Sequence, residues 1–276
     1  MTTQPYVTFN DGHAIPQLGL GVWKATDAEA ATAVQAALAA GYRHIDTAAI
    51  YENEAGVGAG MAQSDVARSD IFLTTKLWNE AQGYDSTLQA MDASLKRLGT
   101  DYVDLYLIHW PSAWRGKFID TWKAMIRLRD EGKVRSIGVS NFEGDYIDQL
   151  IDETGVTPAI NQIQLHPLFQ QSAMRAKHDK LGVVTESWSP LGQGTLLDNP
   201  VLGAIAARHG KSVAQVIIRW HIELGLVVIP KSVTPSRIVE NFDVFDFTLS
   251  GTDMTAIAGL NDPDGRIGSD PVTATF

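Results

Sequence analysis

The 276-residue chain contains no cysteine. That excludes disulfides, thiolate nucleophiles, thiolate zinc sites and iron–sulfur ligation together. Positive charge is in short supply: 22 Lys and Arg stand against 32 Asp and Glu, for a formal net charge of −10. A chain of this kind is not expected to bind nucleic acid non-specifically or to rest on an anionic membrane. Any anionic ligand needs a local cationic pocket. No run of about 18 apolar residues occurs, so no membrane span is expected. The opening MTTQPYVTFNDG has neither a basic n-region nor an apolar h-region, so the expected compartment is the cytoplasm. Phosphate-binding glycine motifs are missing too. There is no P-loop, and GVGAG at Gly56–Gly60 has neither the spacing nor the preceding strand of a dinucleotide fingerprint.

What is there is material for a core. Hydrophobic residues make up 45% and charged residues 20%, which excludes disorder as the main state. Surface scaling gives roughly 11,700 Å² folded against roughly 43,500 Å² extended. No low-complexity linker divides the sequence, so residues 1–276 read as a single domain. A weak repeat runs through it: an apolar helix, a glycine, then a short β-rich run. Ala28–Ala40, Gly41 and Tyr42–Asp46 form one instance; Asp85–Leu98, Gly99 and Tyr102–His109 form another. Further instances pivot on Gly132, Gly155, Gly182 and Gly225. A glycine just past a helix supplies the left-handed cap at no Cβ cost. Leu88, Met91, Leu95 and Leu98 make one apolar helical stripe.

Eight short runs read as strands: LGLGVW, RHID, IFLTTK, VDLYLIHW, SIGVSN, AINQIQLH, VVTESW and LVVIPKS. Most are apolar on both faces, and helices separate them, which indicates a parallel sheet covered by helices. Eight βα units in about 250 residues fit an α/β fold of the closed (β/α)₈ TIM-barrel type. The alternative is an open doubly wound sheet, which would normally carry the missing glycine fingerprint. YVTFNDGHAIP reads as an N-terminal β-hairpin with Asp11-Gly12 at its turn, closing the barrel floor.

A barrel concentrates its chemistry at the C-terminal ends of its strands. Those ends are polar here: Asp46 with Tyr51 after it, Lys76, His109, Ser140-Asn141, Trp188 and Lys231-Ser232, with Gln162 mid-strand. Period-two alternation puts Phe72, Thr74 and Lys76 on one face, and Leu105, Leu107 and His109 on another. If both faces point inward, Lys76 and His109 converge at the barrel mouth. An Asp, a Tyr, a Lys and a His there suggest proton transfer. A nearby ammonium favours the phenolate of a Tyr, a carboxylate such as Asp46 keeps a buried Lys charged, and His109 can orient a carbonyl oxygen. Each residue also has an ordinary explanation: Asp46 as a helix N-cap, Lys76 as a snorkelling surface lysine, His109 as a satisfied core histidine. The joint pattern outweighs these. In IPKSVTPSRIVEN, Lys231 and Ser232 end a strand, Thr234 takes the N-cap, Pro235 takes N1, and Arg237 lies in the first turn. Basic residues at a helix N-terminus oppose its dipole, and a bound phosphate monoester would explain them.

These segments resemble the aldo-keto reductase family. GYRHIDTAAIYENEAGVG (Gly41–Gly58) is similar to the signature around its catalytic Asp and Tyr. TTKLW (Thr74–Trp78) is similar to its Lys strand. DLYLIHWP, IGVSNF and IPKSVTPSRIVENFDVFDF follow in the family's order over nearly the whole chain. NQIQLHP and ESWSPLGQG look most like the bacterial 2,5-diketo-D-gluconate reductase branch. The resemblance implies a (β/α)₈ barrel and NADPH-dependent reduction of aldehydes or ketones, with keto-sugar acids and methylglyoxal among the candidate substrates. It implies Tyr51 as proton donor, Lys76 and Asp46 as its tuning pair, and His109 as substrate orienter. Ser140, Asn141 and Gln162 would bind the nicotinamide amide, with Trp188 as the platform under the ring. Ser189, Leu191, Gly192 and Gln193 would line the pyrophosphate. Lys231, Ser232, Val233, Thr234 and Arg237 would surround the 2′-phosphate, and Glu240 and Asn241 the adenine. Trp23, Trp78 and Trp110 are expected to wall the substrate pocket, no metal is required, and a monomer is the family's common form.

Three departures stand out. The loop PSAWRGKF is short and the sequence ends soon after its last expected helix, so the pocket is expected to be open. Gln164 stands where the family more usually has Glu. Two other functions compete with the reductase: a Schiff-base aldolase with Lys76 as nucleophile, and a non-catalytic protein that keeps only the nucleotide site.

Overall fold

The computed structural model describes residues 4–276; the first three residues of the opening stretch lie outside the described part. Its accessible surface, 11271 Å², is close to the value expected from the mass. Two short strands, β1 (Tyr6–Thr8) and β2 (Ala14–Pro16), form an antiparallel hairpin. Eight parallel strands follow: β3 (Leu20–Gly21), β4 (His44–Asp46), β5 (Phe72–Leu77), β6 (Val103–Ile108), β7 (Val134–Ser140), β8 (Ile160–Gln164), β9 (Val184–Trp188) and β10 (Val227–Val228). They pair in sequence order. Parallel bridges Leu18–Val228 and Gly21–Lys231 join the last strand back to the first and close the barrel. Each of the eight expected runs supplies one barrel strand.

Among the described residues, ten α-helices surround the sheet: α1 (Asp27–Ala40), α2 (Glu54–Ala62), α3 (Tyr84–Leu98), α4 (Phe118–Asp130), α5 (Tyr146–Thr154), α6 (Ser172–Leu181), α7 (Pro200–His209), α8 (Val213–Glu223), α9 (Pro235–Phe242) and α10 (Gly251–Ala258). The local chemistry sets their limits. Thr26 and Glu29 form a capping box that starts α1, and Gly41 ends it at φ 111°. Between α1 and the sheet, Ala30, Ala33, Val34 and Ala37 are fully buried.

The GVGAG run has a packing role. Gly56 and Gly60 lie one turn apart in α2, and a Cβ on either would come within 2.2 Å of Asp27 O or 2.7 Å of Ala31 O. Gly58 meets Leu98 O in the same way, at 2.4 Å. The glycines let α2 sit directly on the backbones of α1 and α3, so no nucleotide needs to be invoked for them.

The hairpin lies where the sequence places it. Phe9 and Ile15 pack with Leu105, Leu107 and Ile160, sealing the barrel's lower end with side chains. The chemistry is thereby confined to the upper end, where the strands finish. No helix among the described residues is long and apolar enough to cross a membrane.

Candidate active site

Period two brings the expected residues together. His44 and Asp46 alternate along β4, and Thr74 and Lys76 along β5, with Asp46 in register with Thr74. All four are buried. The Lys76 Nζ donates to Asp46 Oδ1 at 2.5 Å and to Thr47 O at 2.9 Å. Lys76 is therefore no surface lysine, and Asp46 caps no helix. The ammonium lies 5.2 Å from the centroid of the Tyr51 ring, and that ring meets His109 edge-on at 5.6 Å. The four residues form one cluster.

Tyr51 is held by its turn. Ala49–Tyr51 is a single 3₁₀ turn after β4. Asn53, fully buried just beyond it, accepts from Thr47 Oγ1 and donates to Val22 O and Ala25 O. That side chain ties the Tyr51 turn to the loop after β3.

Burial and charge oppose one another at these groups. Desolvation works against the Lys76 ammonium, but Asp46 holds its pKa above the ordinary value. Desolvation pushes the Tyr51 phenol up, while the ammonium beside it pulls down. The expected lowering by Lys76 is present, but burial outweighs it in the cluster as it stands. Desolvation, then Lys76, holds His109 well below the usual imidazole range, so it is neutral at neutral pH and able to give an N–H to an oxygen.

Above the cluster, a cavity of about 640 Å³ runs from Tyr51 and His109 past Ser140, Asn141, Gln162 and Trp188 to Ser189, Gln193 and Lys231. Trp23, Trp78 and Trp110 line it as well. Four of its wall residues, Lys24, Asn141, Ser189 and Gln193, have left-handed backbones at φ 60°, 62°, 50° and 54°. Side chains rarely adopt that geometry, and it tends to collect at ligand sites. Asn141 donates to His109 O and to Ser140 Oγ, and Trp188 Nε1 donates to Asn141 Oδ1 at 2.9 Å. Both N–H hydrogens of Gln162 go to carboxylates, at Asp46 Oδ2 (2.8 Å) and Glu186 Oε2 (2.9 Å). Its oxygen is left for whatever enters the cavity.

Of the other expected cofactor residues, Lys231 lines the cavity, whereas Leu191, Gly192, Ser232, Val233, Thr234, Arg237, Glu240 and Asn241 do not. Lys231 and Arg237 are exposed, flanking the start of α9. Thr234 occupies the N-cap position without a side-chain cap; its N–H donates instead to the buried Ser232 Oγ at 3.1 Å. Val233 is half-buried, Glu240 exposed and Asn241 buried. Leu191 packs on the core, and Gly192 turns the loop at φ 58°.

The pocket is less open than the sequence suggests. The tail after α10 folds back over the barrel mouth, and Ile267, Gly268, Ser269 and Phe276 join the cavity wall. Phe276 stacks on Trp78 (6.0 Å, 9°) and meets Trp110 edge-on (5.1 Å, 80°), while Asn79 Nδ2 donates to its carbonyl. Gln164 holds the tail: its Oε1 accepts from Gly268 N at 2.8 Å and Ile267 N at 3.2 Å. Its Nε2 sits 3.0 Å from His166 Nε2. Burial pushes His166 down to about 4, so it is neutral and that nitrogen can accept. In its other tautomer the same imidazole nitrogen would donate to a Glu, so nothing in the structure explains the amide here.

Two residues buried beside the cluster, Glu186 and His44, were not singled out from the sequence. Glu186, on β9 opposite Gln162, is fully buried inside the barrel. The available signal is its alternation with Trp188 and Val184 in a strand buried on both faces.

Comparison with known proteins agrees with this geometry. A sequence model of the Aldo/keto reductase family matches residues 17–262. An aldo-keto reductase of Mycolicibacterium smegmatis is 61% identical over 272 residues, covering 99% of this chain and 98% of that protein. Methylglyoxal reductase DkgA of Escherichia coli is 50% identical over 273 residues, 98% of each. Among solved structures, a substituted Gox0644 in complex with NADPH superposes with a TM-score of 0.96 at 50% identity, covering 100% of both chains. Homology over nearly the full length and a barrel whose mouth gathers the expected tetrad lead to one conclusion: the chain belongs to the aldo/keto reductase family.

Proposed function

We propose that this NADPH-dependent aldo-keto reductase reduces small aldehydes and ketones, methylglyoxal-like dicarbonyls among them, with Tyr51 as the proton donor. The observation that carries the reading is the buried Lys76–Asp46 ion pair beside the Tyr51 ring. When bound, NADPH supplies a hydride to the carbonyl carbon. Tyr51 gives its O–H proton to the carbonyl oxygen, and the product is an alcohol. The phenolate left behind faces Lys76, whose charge offsets it until solvent restores the proton. Neutral His109 donates to the same oxygen and fixes its position.

The residues present suit the dinucleotide. The unengaged oxygen of Gln162 offers an acceptor for a carboxamide; the Ser140 hydroxyl beside it donates to Gln162 O and accepts from Asn141, which leaves it one lone pair. The Trp188 indole provides a flat apolar face in the same wall. The left-handed turns at Ser189 and Gln193 leave backbone exposed for a pyrophosphate, and exposed Lys231 and Arg237 at the start of α9 suit a phosphate monoester. Trp23, Trp78 and Trp110, with Phe276 between the latter two, form apolar walls for a small substrate.

The Schiff-base reading does not suit this lysine. A nucleophilic amine must be deprotonated, and Lys76 is an ammonium committed to Asp46 and Thr47. A nucleotide-only protein would have no need for an intact proton-transfer cluster. Steady-state NADPH oxidation across a panel of keto-sugar acids, methylglyoxal and aromatic aldehydes tests the reading. No turnover with any of them would defeat it. The phosphate site has its own test. Arg237→Ala is expected to weaken NADPH binding roughly tenfold to a hundredfold, as the loss of a charge-assisted contact should. NADH binding should barely change, and equal losses for both would remove Arg237 from the 2′-phosphate site.

A further inference from the structure

Beneath the proton-donating cluster the barrel interior holds a second layer that the mechanism has not used. Glu186 Oε2 accepts from Gln162, which bridges it to Asp46. Glu186 Oε1 lies 3.7 Å from His44 Nε2 and has no hydrogen-bond partner, although it is buried. Both side chains are fully enclosed. A carboxylate oxygen left without a donor in a dry interior is costly, and so is a second negative charge beside Asp46. A proton on Oε1 removes the second negative charge and the need for a donor; the His44 Nε2 it faces at 3.7 Å is also met by Thr74 Oγ1 at 3.3 Å.

We propose that Glu186 is a positioning residue that carries a proton at neutral pH: as a neutral acid it leaves Asp46 as the only negative charge at Lys76 and locks the Gln162 amide with its oxygen toward the cavity. This extends the reading above and rests on Tyr51 and Lys76 working as described there. The titratable groups facing Glu186 are His44 and Asp46 from β4, Lys76 from β5 and Tyr51 from the turn after β4. The neighbouring strands β8 and β10 bring the neutral Gln162 and the apolar Val227. Burial, then the charge of Asp46, pushes the Glu186 carboxyl up to about 8. Burial and Lys76 push His44 down to about 3, so the imidazole is neutral and can accept. The ligand atoms of His44, Asp46 and Glu186 lie within 4.8 Å of one another. A cation is nonetheless already in place: Lys76 takes Asp46 Oδ1, and the Gln162 amide takes Asp46 Oδ2 and Glu186 Oε2, which leaves Glu186 Oε1 alone without a donor.

The consequence is a tuning of the phenol. Ionised Glu186 raises the pKa of both Tyr51 and Lys76. As pH rises through about 8, Glu186 loses its proton and Tyr51 becomes a weaker acid, so carbonyl reduction slows before the phenol itself titrates.

Glu186→Gln is the direct test, because an amide copies the acid form: one oxygen accepts from Gln162 and an N–H faces His44. The infrared difference between wild-type and variant protein, both free of cofactor, should contain a protonated-carboxyl C=O band at about pH 6.5 that fades as pH passes about 8. A band already absent at about pH 6.5, or one unchanged at about pH 10, overturns the proposal. In turnover, the alkaline fall of kcat in the variant should move up by about one pH unit or more, whatever its absolute rate. An unmoved limb overturns the tuning. Should the variant not fold, glutamate-labelled wild-type protein decides by carbon-13 NMR. One carboxyl must titrate near pH 8, and all titrating below about pH 6 overturns the proposal. These spectra do not depend on catalysis, so a failure here is distinct from a failure of Tyr51 as donor.

Discussion

Replacing Tyr51 by Phe should leave a folded protein that binds NADPH and reduces almost nothing. The ring contacts survive the change, since the edge-on approach to His109 at 5.6 Å and the Lys76 ammonium over the ring need no hydroxyl. The phenol's hydrogen bond to Lys76 is lost, so stability should fall by about 1 kcal/mol. Of the groups that react, only the transferable proton is removed. A positioned general acid contributes roughly 10²- to 10⁴-fold, and kcat should fall by that much, with little change in quenching of tryptophan fluorescence by NADPH. The pH dependence follows from the raised phenol. In reduction the protonated phenol is the working form and is present throughout the neutral range. In the reverse direction phenolate is needed, so alcohol oxidation should quicken toward alkaline pH. Turnover retained in Tyr51→Phe, or an oxidation rate flat with pH, would show that another group moves the proton.

Much of this site was legible because a parallel barrel has simple rules. The strands are short apolar runs between helices, and period two decides which residues share a face. Phe72, Thr74 and Lys76 share one, so Lys76 was bound to point with Thr74 toward the mouth, and Leu107 and His109 follow the same rule. The polar strand ends were visible as departures from an apolar background. Glu186 obeys the same alternation, but a lone Glu in VVTESW looks like a solvent-facing position. Only the register with Gln162 shows that it points into the barrel. His44, two residues before Asp46, was overlooked for the same reason. The tail was illegible for a different reason. Phe276 reaches Trp78 and Trp110 through an irregular segment with no period, held by the side chain of Gln164, a residue about a hundred positions earlier in the sequence. No local pattern encodes such a contact.

The second large effect is expected at Lys76, where stability and chemistry meet in one ion pair. Lys76→Met keeps most of the side-chain length in a fully buried position and removes the donor to Asp46 Oδ1 and Thr47 O. Asp46, 2% exposed, then keeps only the Gln162 amide. Breaking one half of a buried pair costs about 3–5 kcal/mol, because the remaining charge cannot return to water. The loss should depend on pH in a definite direction. Without the ammonium, burial holds the Asp46 carboxyl above its unfolded value, so the native variant binds a proton that the unfolded chain releases. Its stability is then retained at low pH and lost as pH rises through the folded value. The deficit against wild type, measured by urea unfolding, should be small near about pH 4 and largest near about pH 8. Adding Asp46→Asn removes the stranded charge and should recover most of the stability at pH about 8. It should recover none of the turnover, which falls on the order of 10²-fold or more because the phenolate formed at Tyr51 has lost its counter-charge. A double variant that regained activity would mean that Lys76 serves only to satisfy Asp46. A single variant as stable as wild type at pH about 8 would mean that the pair is not the buried charge bond on which the proton transfer depends.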